Sequence, residues 1–171
     1  MPLLKNGAVA EDQWVKVADD APLPQTQPAL MSHARWQAEK DDLSRRNAPL
    51  GIVLPNDLDI LTFGPEAGRF GLIVLNFPKF SDGRAYSQAR LLRERFGYRG
   101  ELRAVGDVLR DQLLLMHRAG FDAYEIARPD AAEIFAKALQ TFSAYYQPTG
   151  SSPLTILQRR LQQSRHQEAA E

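Results

Sequence analysis

Residues 72–112, LIVLNFPKFSDGRAYSQARLLRERFGYRGELRAVGDVLRDQ, decide the architecture. They read as strand, loop, helix, strand, loop and the start of a second helix. The stretch GLIVLNF (71–77) is apolar at successive positions, as a strand covered on both faces of a parallel sheet must be. Asp82 then caps a helix running from Gly83 to Phe96. Its apolar residues Ala85, Ala89, Leu92 and Phe96 fall on one helical stripe, and Gly97 ends it in a left-handed cap. Strand ELRAVG (101–106) follows, and Asp107 caps a helix that Gly120 ends. Strand FDAYEIA (121–127) comes next, and Asp130 opens a third helix reaching about Tyr146.

The punctuation repeats. Gly97-Tyr98 and Gly120-Phe121 are 23 residues apart, as are Asp107 and Asp130, and Asp82 lies 25 before Asp107. That is the length of one βα unit, so these strands should run parallel with right-handed crossovers. Upstream, LGIVL (50–54) is a further buried strand ended by Pro55-Asn56. The expected fold is therefore α/β, with a small parallel sheet of about four βα units. It is an open sheet or half-barrel, since a full barrel typically takes about 250 residues.

The first residues predict a hairpin over 2–17, turned at Asn6-Gly7, where both residues tolerate positive φ. Residues 19–28 carry Pro22, Pro24 and Pro28 and read as an extended linker. Ser32 caps an exposed helix, with Arg35 and Glu39 at i,i+4 spacing and Trp36 and Leu43 facing inward. Residues 55–70 suggest one irregular or short helical crossing. Residues 1–147 thus form a single domain, and PTGSSP, beginning at Pro148, starts a flexible or loosely helical tail over 148–171.

The 171 residues carry no cysteine, which rules out disulfides, thiol catalysis and cysteine-held metal centres on this chain. Three scattered histidines, His33, His117 and His166, give no metal site, and no motif for a cofactor is present. No apolar run reaches the roughly 20 residues of a membrane helix, and the first residues lack the apolar stretch of a signal peptide, so a cytoplasmic protein is expected. Net charge is zero, yet residues 79–120 hold nine Lys/Arg against five Asp/Glu. This local excess suits a small anion or an acidic partner and is too weak for nucleic acid.

In a parallel sheet, the loops NFPKFSDGR and VGDVLRD open on the same carboxyl edge, where such folds bind ligands. Lys79, Asp82 and Arg84 in the first loop, with Tyr86 and Ser87 in the following turn, are candidate ligand residues. Asp107, Arg110 and Asp111 are their counterparts in the second loop. Lys79, Arg84 and Arg110 should converge on one oxyanion, near two helix N-termini. Alternatively, Phe77, Pro78 and Phe80 plug the top of the sheet while the aspartates neutralise the cations.

The segment FPKFSDGRAYSQARLLRERFGYRGELRAVGDVLRDQLLLMHRAGFDAYEI resembles the signature of the bacterial domain of unknown function family 934. The similarity extends over residues 2–147, including PLLKNGAVAEDQWVKVADDAPLP and LGIVL. Members are described as oxidoreductases or accessory proteins of sulfite reduction, encoded beside assimilatory sulfite reductase. The resemblance therefore implies a non-redox accessory role in sulfate assimilation, with sulfite reductase as partner. A small barrel-like enzyme using Lys79, Asp82, Asp107 and Arg110 on a sulfur-containing or phosphorylated metabolite is the alternative.

Overall fold

The computed structural model describes residues 2–126 and 128–141, with Gln158 and Leu161; the expected tail over 148–171 otherwise lies outside the described residues. The strands are β1 (Leu3–Lys5), β2 (Ala8–Ala10), β3 (Val15–Lys16), β4 (Ala29–Ser32), β5 (Leu50–Leu54), β6 (Leu72–Phe77), β7 (Glu101–Gly106) and β8 (Ala123–Glu125). The helices are α1 (His33–Leu43), α2 (Ile60–Phe63), α3 (Arg84–Glu94), α4 (Leu113–Ala119) and α5 (Ala131–Gln140). Short 3₁₀ turns cover Gly64–Arg69 and Arg110–Gln112.

The expected strands β5, β6, β7 and β8 lie side by side and parallel. The sheet they belong to is larger and mixed, however. It has eight strands in the order β2-β1-β8-β7-β6-β5-β4-β3, with β1 antiparallel to both β2 and β8. Its edges do not meet, which leaves an open, curled half-barrel.

Two further corrections follow from pairings between distant segments. The hairpin is confined to 3–10, with Asn6 and Gly7 at φ 50° and 84° in its turn. Val15–Lys16 instead joins the opposite edge of the sheet beside β4, a strand hidden behind the proline-rich linker. Residues 11–14 must therefore cross the sheet. The 55–70 crossing is the short α2 followed by its 3₁₀ turn.

The two faces of the sheet differ. One packs Ile52, Leu54, Ile73, Leu75 and Phe77 against Trp36 of α1, Ala89 and Leu92 of α3, Met116 of α4 and Phe135 of α5. The inner face carries Leu30, Leu72 and Val74 with Val53 and Val105, and Trp14 closes over them. A side chain at Gly51 or Gly71 would press on the Trp14 indole, so both positions leave room for it. Next to Trp14, Asp12 pairs with Arg103 of β7 at 2.7 Å. Arg103 is 1% exposed and also binds Glu101 at 2.7 Å and Glu125 at 3.4 Å, while Lys5 meets Glu101 at 2.7 Å. The crossing segment is thus a strap, held by a tryptophan and a buried guanidinium over the amino-terminal half of the inner face.

Helix α1 begins as expected: the Ser32 hydroxyl accepts the Arg35 N–H at 3.0 Å, and Trp36 and Leu43 are buried. It is less exposed than expected, because Arg35 is also buried and donates to the Ala18 and Ala21 carbonyls of the linker.

Burial pushes the pKa of His33 and His117 below the ordinary 6.5, with nearby acids opposing the shift. An unfolded chain therefore takes up these protons first as pH falls through that ordinary value. Urea midpoints should fall between pH 7 and pH 5, and His117→Gln should flatten the slope. Asp122, raised by burial, acts in the opposite sense at more acid pH, so the histidine effect is read above the carboxylate range.

Candidate functional site

Strand β6 ends at Phe77, fully buried and touching Tyr86 edge-on at 5.0 Å. Strand β7 ends at Gly106, whose φ of +90° and closeness to the Phe77 carbonyl leave no room for a side chain. The loops after these two strands are tied together. Asp107 N–H donates to Phe77 O at 2.8 Å, the Asp107 carboxylate accepts Phe80 N–H at 2.9 Å, and the Gln112 amide donates to Phe80 O at 3.0 Å. Asp107 is therefore not a helix cap. It holds the neighbouring loop, and the chain after it enters a 3₁₀ turn before α4.

This clamp fixes the Phe80 backbone while its side chain points out, 60% exposed, and Leu109 on the adjoining loop is 38% exposed. Of the expected plug, only Phe77 enters the core. The Lys79 and Arg110 side chains, beside these two apolar residues, are exposed and form no hydrogen bond or ion pair among the described residues, although the charge of Arg110 helps Arg128 hold the Asp130 carboxyl below its ordinary range.

The third cation is spent. Arg84 chelates Asp82 through Nε at 3.0 Å and Nη2 at 2.7 Å, which holds the Asp82 carboxyl down to about 2. Asp82 sits one residue before the helix N-cap, Gly83, and accepts the Arg84 N–H at 3.2 Å. The remaining candidates are divided. Tyr86 keeps a buried hydroxyl without a partner, and burial raises its pKa, aided by the charge of Asp111. Ser87 lies on the outer surface of α3, in a groove with Arg90 and Arg95. Asp111 and Arg110 border a groove of about 360 Å³ against Ile134 and Lys137 of α5.

Two residues not singled out from the sequence shape this edge. Gln112 closes the clamp, and buried Gln88 donates to the Pro55 and Leu58 carbonyls at 3.1 Å, fixing the loop after β5. A glutamine on the apolar stripe of α3 was the available signal for the second. Among the described residues, no group of three or more His or acidic side chains could hold a metal ion.

Residues 51–157 match the model of a bacterial protein family of unknown function, DUF934, and thus include both clamped loops. No curated protein and no solved structure matches the chain. No helix among the described residues is long and apolar enough to cross a membrane. With the family model spanning more than half of its length, the chain belongs to the DUF934 family.

Proposed function

We propose that this protein is a non-redox accessory protein of assimilatory sulfite reduction that docks an acidic surface of sulfite reductase on the carboxyl edge of its sheet. The pathway rests on the family resemblance. The docking rests on one observation: Lys79-Phe80 and Leu109-Arg110 present two exposed cations and two exposed apolar side chains on loops that the Asp107 and Gln112 hydrogen bonds hold together. Rigid aromatic and arginine anchors carry a large share of binding energy at protein interfaces. An acidic rim around an apolar recess is the complementary surface.

A site for a single oxyanion has less support, because Asp82 already neutralises Arg84. The enzyme reading is weakened for a related reason. Asp82 and Asp107, which would have to act on a substrate, are held by Arg84 and by the Phe80 N–H.

The test is affinity capture from sulfate-grown cells at low salt. Wild type should retain sulfite reductase, and a Lys79→Glu/Arg110→Glu variant should retain at least about tenfold less, since like charges at an interface are repelled. Arg99→Glu, on the opposite edge of the sheet, should behave as wild type. Absence of the reductase from the wild-type eluate, or equal capture by the double variant, retires the proposal.

A further inference from the structure

We propose that a second site, on the inner face of the half-barrel above the strap, binds a small monocarboxylate with an uncharged body. The pocket there, about 520 Å³, is lined by Lys16, His33, Val53, Pro55, Asn76 and Val105, among others. Its volume falls in the range of small-molecule sites, and it opens at the carboxyl ends of adjacent parallel strands. This inference does not depend on the docking edge.

Register brings the chemistry together. Val53, Val74 and Arg103 are cross-strand neighbours on the inner face, and the next inner row is Asn76 beside Val105. Lys16, paired with Leu30, faces the same side from the edge strand. Below this level the strap fills the face with Trp14 and the Arg103 ion pairs, leaving the carboxyl half open.

The lining specifies the ligand class. The Lys16 ammonium and the Asn76 side-chain amide form no hydrogen bond or ion pair among the described residues, so one cation and one amide are free to meet a ligand. Ser32 is occupied, donating to Asp19 at 2.7 Å. His33 is packed edge-on against Phe63 with Nε2 at 3.2 Å from the Gln37 amide, so it supplies wall rather than charge. A single cation matches a single negative charge, whereas a phosphate dianion or sulfate is better held by several donors. The walls Val53, Pro55 and Val105 suit an uncharged body. Gln88, gripping the Pro55 and Leu58 carbonyls, keeps one wall in place before any ligand arrives.

The probe is propionate, titrated into the ¹⁵N-labelled full chain, with sulfate and phosphate as comparators. Propionate should shift the Ala34, Asn76 and Val105 signals saturably and more tightly than either inorganic anion. Lys16→Ala should weaken it about tenfold, the loss of one charge-assisted hydrogen bond, without lowering the melting temperature. Asn76→Ala should weaken it less, and Lys79→Glu/Arg110→Glu should leave it unchanged. No saturable shift at those residues overturns the site, as does indifference to Lys16→Ala. Tighter binding of sulfate there overturns the ligand class.

Discussion

An Arg103→Met variant should unfold in urea with a stability about 3–5 kcal/mol below wild type, the cost of removing one partner from a buried ion pair. Arg103 is the largest fully buried charged side chain among the described residues, and it serves three acids at once: Asp12 of the strap, Glu101 beside it on β7 and Glu125 on β8. Burial alone would lower its pKa, but the hydrogen bonds it donates to Asp12 and Glu101 outweigh that and raise it. Methionine fills much of the volume but leaves the Glu101 carboxylate buried with only Lys5 against it. The strap loses its anchor at the same time. Asp12→Asn, at a half-open position, should cost under about 1 kcal/mol. An Arg103→Met/Glu101→Leu variant should recover much of the loss, because an apolar pair replaces a buried ionic one at little net cost. Equal stability of Arg103→Met and wild type would mean that the network does not hold the strap.

The second large effect belongs to Trp36. It is fully buried under α1, lies edge-on to Phe70 at 4.9 Å, and donates its indole N–H to Glu66 at 3.0 Å. Trp36→Ala should cost about 3–5 kcal/mol, through lost burial and the cavity left behind. Trp36→Phe should cost less, since Glu66 keeps its ion pair with Lys40 at 2.6 Å. The measurement is again urea denaturation, where the midpoint should move while the slope stays constant. A loss below about 1 kcal/mol for Trp36→Ala would show that α1 and the 64–69 turn collapse around the gap.

Strands β5 to β8 were legible because their signals are local: continuous apolar runs, and glycine stops at Gly97 and Gly120, both at positive φ. Strands β3 and β4 were not. Val15–Lys16 follows a genuine hairpin signal, yet pairs with residues 29–30 across a proline-rich linker, and no local pattern encodes that choice. Arg103 was hidden for a similar reason. ELRAVG reads as a buried strand, and only the strap from residue 12 reveals why an arginine can lie there.

The site was legible in part. Chain order placed both loops on one edge, where the Lys79 and Arg110 side chains stand exposed. Asp107 misled, because an aspartate that caps its own helix and one that clamps a loop 27 residues away look alike in sequence. Phe80 could not be told from a plug, since nothing local distinguishes an aromatic that enters the core from one that leaves it.

The direct test of the docking edge is the affinity of purified sulfite reductase for wild type and for Phe80→Ser, measured by calorimetry at low and at physiological salt. The Phe80 side chain is exposed, and Asp107 and Gln112 hold only its backbone, so this variant should fold as wild type. The account predicts binding that weakens with salt, as charged contacts require, and that falls at least about 30-fold in Phe80→Ser, the loss expected of an interface anchor. Wild-type binding that is indifferent to Phe80→Ser, or no binding at low salt, would contradict it.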